Sequence, residues 1–416
     1  MTPQIKQRIE QIRRGEVPEG YKRTKVGIVP DEWNEECLGK YLQEYKELSN
    51  DIENYPVYSS SRQGLIPQSQ YYDNREAVET NLGYKIVPNG YVTYRHMSDD
   101  DIFHFNVNKT GSEVLVSSEY PVFTSTKKGD LGYLIPMLNG TARFRYFCRT
   151  QKMGGTRTRL YYKNLCTYKT AFATLPEQQK IAEILSAQDK LIALKEKLIE
   201  EKKRQKKALM QQLLTGKKRL PGFSGEWKQV KLGDICSTFS GGTPNRSHSE
   251  YYGGDIPWIK SGELNHGDIY DTEETLTDLG LNNSSAKIAP KGTLLIAMYG
   301  ATAGILAFTH IDAAINQAIL ALIPTTKVST CFIKESLDVQ IETATHRLTQ
   351  GGQPNFNASI IESFSISMPC FEEQEAISNI AKTADHEIAL LNDDLYQEKQ
   401  KKKTLMQLLL TGIVRV

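Results

Sequence analysis

Residues 205–216 read QKKALMQQLLTG, and residues 401–412 read KKKTLMQLLLTG. The offset is 196 residues, and it persists upstream. Glu177-Gln178 matches Glu373-Gln374, Ile181 matches Ile377, Ile184 matches Ile380, Asp189 matches Asp385, and Ile192-Ala193-Leu194 matches Ile388-Ala389-Leu390. A weaker repeat opens each half: Glu32-Trp33 and Leu38-Gly39 correspond to Glu226-Trp227 and Leu232-Gly233. A fixed long-range period of this kind organises a whole fold and is read before any local pattern.

The repeated segments predict two long helices. In the second, Ile377, Ala381, Ala384, Ile388, Leu391, Leu395, Glu398, Lys402, Leu405 and Leu409 recur at alternating steps of four and three. That is the 3.5-residue period of a coiled-coil seam. The first repeats the register with Ile181, Leu185, Gln188, Ile192, Lys195, Ile199, Lys202, Lys206, Leu209 and Leu213. Neither seam is suited to water, so the two helices are expected to pack on each other. The period leaves their relative direction open. Thr174-x-x-Glu177 with Pro176 predicts a capped start, and Gly216 and Gly412 predict left-handed ends. A short helix within residues 1–19 is also expected, capped by Thr2 and ended by Gly15.

The regions between, 20–175 and 217–368, hold short β-type runs such as Tyr91–Tyr94, Glu113–Val116 and Thr293–Ile296, punctuated by Gly, Pro and Asn. The resulting order is an α+β one: domain 20–175, helix 176–216, domain 217–368 and helix 369–416. The chain's 416 residues, 39% apolar, suffice for two such cores. A formal charge of +2, from 51 Lys and Arg against 49 Asp and Glu, excludes a uniformly basic DNA-coating protein but permits local patches. The N-terminus lacks the apolar core of a signal peptide, and no run is long enough to span a membrane. The six cysteines are scattered, which suits a reducing, cytoplasmic setting.

One stretch is electrically distinct. Residues 131–176 contain no Asp or Glu but hold Arg143, Arg145, Arg149, Lys152, Arg157, Arg159, Lys163 and Lys169 among eight Tyr and Phe. Arginine and lysine neutralise phosphates, and arginine also reads guanine. The i, i+2 spacing of Arg143/Arg145 and Arg157/Arg159 would place each pair on one face of a strand. Lys127 and Lys128 extend the patch. The helix segment KKRQKK (202–207) is either a solvated coiled-coil face or a phosphate contact. In the second domain the candidates are polar: Thr243, Asn245, Arg246 and Ser247; Lys260, Ser261 and Glu263; and Arg347, Gln350, Gln353 and Asn355. Base edges require such amides, hydroxyls and carboxylates, although each residue could equally form a turn.

Catalytic constellations are missing from the sequence. There is no GxxxxGK[ST] phosphate loop, no GxSxG elbow and no amino-methyltransferase [DNS]PP[YFW] motif. The run Tyr299–Gly304 reads as a turn between strands. The seven histidines lack metal-ligand spacing. No catalytic or metal-ligating residue is assigned. A DNA-modifying or cleaving enzyme with an unrecognised site, and a coiled-coil scaffold that binds only protein, remain the alternative readings.

Leu-Pro-Glu-Gln-Gln-Lys-Ile-Ala (175–182), the two Leu-Met-Gln-x-Leu-Leu-Thr-Gly strings (209–216, 405–412), Trp33…Leu38-Gly39, Trp227…Leu232-Gly233-Asp234, Ser240–Pro244 and Gly253–Ile259 together resemble the specificity subunit of type I restriction–modification systems. The resemblance covers nearly the whole chain. Phe371-Glu372-Glu373-Gln374 departs from the family's Pro-x-x-Glu-Gln, which puts the start of the second helix in question. The resemblance implies two target recognition domains, each reading half of a split double-stranded DNA site, and an antiparallel helix pair that sets the spacer. It implies no catalysis and no cofactor on this chain. Two methyltransferase subunits would use S-adenosylmethionine, and restriction subunits would use ATP and Mg. Carried over loop by loop, Thr243–Arg246 and Lys260–Glu263 would face DNA. Ser60, Ser61 and Arg62, with Arg95 and His96, would be their equivalents in the first domain.

Overall fold

The two long helices form where the repeat predicts them. In the computed structural model, which describes residues 3–71, 83–152, 154, 156–348 and 355–416, they run Leu175–Leu214 and Phe371–Leu409. The second starts cleanly at Phe371 despite its departure from the family string. Both end alike. Gly216 and Gly412 sit at φ 69° and 73°, a left-handed conformation that a β-carbon disfavours. Matching backbone bonds close the ends, from Lys218 N to Gln212 O (3.1 Å) and from Val414 N to Leu408 O (3.0 Å).

The chain divides into two compact units, Met1–Glu196 with Asp393–Val416, and Lys197–Asn392. Each helix therefore gives one half to each unit. Within the first unit the halves run antiparallel: Gln188 donates to Glu398 (2.6 Å), Lys399 pairs with Glu196 (2.7 Å), and Asp189–Lys402 and Lys195–Asp394 are further ion pairs. Within the second, Lys202 pairs with Glu387 (2.6 Å) and Lys206 with Asp385 (2.7 Å), again antiparallel. The structure thus settles the direction that periodicity left open. KKRQKK spends much of its charge here, and Lys203 and Arg204 pair with Glu200 and Glu201.

The predicted seam is the sheltered face of both helices. Ile181, Leu185, Ile199, Leu213, Ile377, Ala381 and Leu409 are buried, while Ile192, Leu209, Ile388, Leu391, Leu395 and Leu405 are half-buried. Full burial is concentrated toward the helix ends, where the recognition modules also pack. In the first unit Ile181, Leu185 and Leu409 join a core with Trp33, Leu38, Phe123, Tyr133 and Phe172. In the second, Met210, Leu213, Ile377 and Ala381 join Leu232, Leu294, Phe332 and Ile366. Each such aliphatic side chain contributes ~1.5–3 kcal/mol when fully buried.

The modules are strand-rich, as the punctuated β runs predict. The first has a four-stranded antiparallel sheet in the order Asn106–Val107, Val92–Thr93, Val122–Ser125, Leu42–Tyr45, and a three-stranded sheet of Val114–Ser117, Tyr84–Val87 and Leu48–Ser49. The second has two four-stranded sheets. One is ordered Cys236–Ser240, Ile319–Pro324, Leu294–Ala297, Leu306–Phe308; the other is Glu274–Leu276, Tyr252–Ile259, Ala313–Ile315, Lys287–Ala289. Gly300–Thr302 forms a turn between strands, as expected of the glycine-rich run.

Each module closes on itself before entering its helix. Asn34–Cys37 pairs with Lys169–Phe172, and Lys228–Lys231 pairs with Ser365–Met368. Leu38 N then bonds Tyr168 O (2.8 Å), and Leu232 N bonds Phe364 O (2.9 Å). The strands that follow Trp33 and Trp227 therefore pair with the last strand of each module, which leads the chain into its long helix.

One local expectation is corrected. Residues 142–150 form a helix, so Arg143 and Arg145 do not share a strand face. Aromatic and apolar residues here recur at Phe144 and Cys148, a helical interval that buries both. The first long helix starts at Leu175, directly after Thr174, as Thr174-x-x-Glu177 predicts, and the Glu177 carboxylate is taken up by Trp33 and Arg415. Pro3–Arg13 is helical and Gly15 has φ 77°, whereas Thr2 lies outside the described residues.

Candidate nucleic-acid interface

In the first unit, the hairpin Tyr58–Ser61/Gly64–Pro67 and the segment 95–104 enclose a cleft of about 440 Å³. Ser60, Ser61, Arg62 and Arg95 line it with Gln63, Ser98, Asp99 and His104. Beside it, Met97-Ser98 pairs with Thr158-Arg159. Thr158 is buried, and Arg157 and Arg159 on either side of it are exposed. The structure therefore gathers residues 60–62, 95 and 157–159 into one neighbourhood. Lys127 and Lys128 are exposed but do not line the cleft. They sit on the turn before the helix Leu131–Gly140, where Gln178 Nε2 donates to Lys128 O (3.3 Å). Arg145, Tyr146 and Arg149 are exposed along the next helix.

Three of the residues predicted as contacts are buried. His96 is 3% exposed, its ring stacked 5.4 Å from that of Tyr161. Burial holds its pKa below the ordinary 6.5, with Glu119 opposing. Ser60 is also buried, and its hydroxyl accepts Asn106 Nδ2 (2.8 Å). Glu263 is 7% exposed and folds back on the turn Ser261–His266, accepting from Lys260 N at 3.4 Å. In each case a residue type suited to base edges serves the backbone or core that carries the surface.

In the second unit, a loop is pinned to the sheet by close approach. A β-carbon on Gly241 would lie 1.7 Å from Ile315 O, and one on Gly242 would lie 2.0 Å from Ser285 Oγ. Only glycine fits, which lets Gly242 N bond Ile315 O (3.0 Å) and Gly242 O accept Trp258 Nε1 (3.2 Å). The following residues, Thr243, Asn245 and Arg246, are exposed. Thr243 donates to Gln317 (2.5 Å), and Asn245 Oδ1 accepts from Ser247 N (3.1 Å). Arg246 lies over the Tyr252 and Trp258 rings at 4.5 and 5.1 Å and bonds Glu274 (2.6 Å). Lys260 reaches Glu273 (2.9 Å) and Glu274 (3.0 Å), and Ser261 is half-exposed beside it. The Arg347 side chain, Gln350 and Gln353 lie outside the described residues.

Each unit also carries a latch of the same design within itself. Glu177 accepts Trp33 Nε1 (2.9 Å) and Arg415 Nε (2.6 Å). Glu373 accepts Trp227 Nε1 (3.2 Å) and both Nε and Nη2 of Arg219 (2.9 and 2.8 Å). The neighbouring glutamines act alike: Gln178 Oε1 accepts Asp130 N (3.0 Å), and Gln374 Oε1 accepts Ser329 N (3.0 Å).

The family model for the type I restriction modification DNA specificity domain matches residues 38–204 and again 224–398. The chain belongs to this family. It carries two specificity domains in tandem, each ending in a long helix. It is 24% identical over 434 residues to the type I restriction enzyme MjaVIII specificity subunit of Methanocaldococcus jannaschii, covering 96% of both chains. It is 29% identical over 172 residues, 39% of this chain and 37% of the relative, to the HindI specificity subunit of Haemophilus influenzae. Two solved structures share the fold. One is the type I S subunit from M. genitalium (TM-score 0.53, 14% identity, 91% of this chain and 96% of that one). The other comes from work on complex assembly and conformational transition of the type I R-M system (TM-score 0.59, 17% identity, 93% and 99%).

Sequence reasoning about this specificity-domain chain missed Arg219 and Arg415. The 196-residue offset relates them and could have found them. It also missed Asp99, Asp100 and Glu274, whose pairing with Arg157, Arg62 and Arg246 joins segments distant in sequence.

Proposed function

We propose that each specificity domain reads one half of a split double-stranded DNA site and that the antiparallel helix pair sets the spacer. The observation that carries this is the recurrence, in both units, of exposed arginine-bearing loops on a module locked to the ends of the same two helices. Arg62, Arg95, Arg157 and Arg159 serve the first half-site. Thr243, Asn245, Arg246 and Lys260 serve the second. On this reading the chain contributes recognition and no chemistry. Methyltransferase subunits supply methyl transfer from S-adenosylmethionine, and restriction subunits use ATP and Mg. Leucines left exposed on the first long helix, Leu191 and Leu194 in the first unit and Leu198 in the second, support docking of such partners. Among the described residues no helix is long and apolar enough to cross a membrane, and we place the complex with DNA in the cytoplasm. Methylome sequencing of cells carrying this chain tests the reading. The expected motif has two defined parts and an undefined spacer. A continuous motif, or none that depends on this chain, overturns it.

A further inference from the structure

Three arginines of the two modules, Arg62, Arg157 and Arg246, share a feature that DNA binding alone does not require: each is held by a carboxylate from a different segment. In the first unit the run Asp99-Asp100-Asp101 forms a turn after Met97-Ser98. Asp99 Oδ1 accepts Arg157 Nε (2.8 Å), Asp100 Oδ2 accepts Arg62 Nη2 (2.7 Å), and Asp101 accepts the Thr158 hydroxyl. The turn is itself well fixed. Asp101 is the one non-glycine residue at positive φ among those described (62°). Asp100 Oδ1 accepts Ser98 Oγ (2.8 Å), and the Ser98 hydroxyl also accepts Ile102 N (3.1 Å). Burial opposes ionisation of Asp100, but the Ser98 hydroxyl, Ile102 N–H and Arg62 outweigh it and hold its pKa below the usual carboxylate value. In the second unit Glu274 plays the same part, one oxygen on Arg246 Nη1 and the other on Lys260.

Exposed ion pairs add little to stability, so stability is a poor reason for these. Their geometry suggests another. Asp99 engages Arg157 only through Nε. Among the described residues that leaves the two terminal nitrogens free, and these are the donors that meet guanine O6 and N7 side by side. Arg62 is bound through one terminal nitrogen, leaving its other edge free. Arg246 is bound through one and is flanked by two rings. A flexible arginine searching for phosphate needs none of this. A carboxylate near the DNA backbone would weaken sequence-independent binding, because it repels phosphate.

We infer that Asp99, Asp100 and Glu274 are specificity-determining positioning residues, which hold Arg62, Arg157 and Arg246 with part of each guanidinium presented to a base edge. The inference rests on the DNA-reading function proposed above. It predicts that the acidic residues, which touch no base themselves, control discrimination rather than affinity.

The test compares methylomes of cells carrying the intact chain, Asp99→Ala, Glu274→Ala and Glu274→Gln, all in the full complex. Asp99 is 64% exposed in its side chain, so its removal leaves the fold intact, and Glu274→Gln retains side-chain volume at the second site. Asp99→Ala should relax one or two positions of a single half-site, with methylation at mismatched sites rising roughly fivefold or more, the low end of what one base contact contributes. The Glu274 variants should relax the other half-site only. Unchanged motifs, or methylation altered by one factor across all sequence contexts, would overturn the inference while leaving the recognition reading in place. If the intact chain directs methylation to no two-part site, the recognition reading fails, and this inference with it.

Discussion

Arg415 reaches Glu177 across 238 positions of chain, and the carboxylate it meets is 4% exposed. A charge so enclosed depends on its partners, since an ionised group buried alone is strongly disfavoured. Arg415→Ala would leave Glu177 with the Trp33 N–H. Because Arg415 is one-third exposed, solvent screens part of the loss, and destabilisation of about 2–3 kcal/mol is expected. Urea unfolding of the first unit would show it as a lower midpoint. Arg219→Ala should act in the same direction on the second unit. His96 gives a pH signature. Its folded pKa is depressed, so as pH falls below about 6.5 the unfolded chain takes up a proton that the folded chain refuses. Stability should therefore decline with acidity until the folded pKa is reached, and His96→Phe should remove that component of the melting-temperature profile. At the surface, Arg157→Ala should cost ~1–3 kcal/mol on the cognate site and relax one base position. If Arg159 meets phosphate, Arg159→Ala should lower the salt slope of binding by about one. These roles were only partly legible in sequence. Residue type suggested what could touch DNA, but solvent access depends on tertiary packing, which hid His96, Ser60 and Glu263.

The long helices were the most legible elements, because a seam at steps of four and three constrains many positions at once. Their direction was not, since an antiparallel and a parallel pair bury the same stripe. It is fixed by pairs such as Gln188 with Glu398 and Lys206 with Asp385. Residues 142–150 misled for the converse reason: two arginines at i, i+2 suit a strand, but Phe144 and Cys148 set a helical interval that won. The antiparallel pairing sharpens the spacer prediction. An insertion in one helix alone would break its register with the other. Seven residues added to both, after Glu196 and after Asn392, would preserve the 3.5-residue period and add about 10 Å of helix. At about 3.4 Å per base pair, methylome sequencing should find a spacer longer by about three base pairs with both half-sites unchanged. A changed half-site would refute the ruler.

At the scale of the whole chain, the modules are separable in reading but not in construction. Exchanging residues 20–175 for the first domain of another family member should alter one half-site only, as read by methylome sequencing. The incoming domain must bring a tryptophan to the place of Trp33, because Glu177 and Arg415 stay behind. A change in both half-sites would contradict modular recognition. The second unit is one unbroken stretch, Lys197–Asn392, whereas the first is assembled from Met1–Glu196 and Asp393–Val416. That difference inverts the usual N-terminal-first order of folding on the ribosome. The second module has its whole complement of residues, Arg219 included, as soon as position 392 has emerged. The first, though synthesised earlier, waits through the making of the entire second module for its half of the closing helix and for Arg415. A nascent chain stalled midway would thus carry an unfinished first reader, and residues 393–416 must be made before two half-sites can be read together.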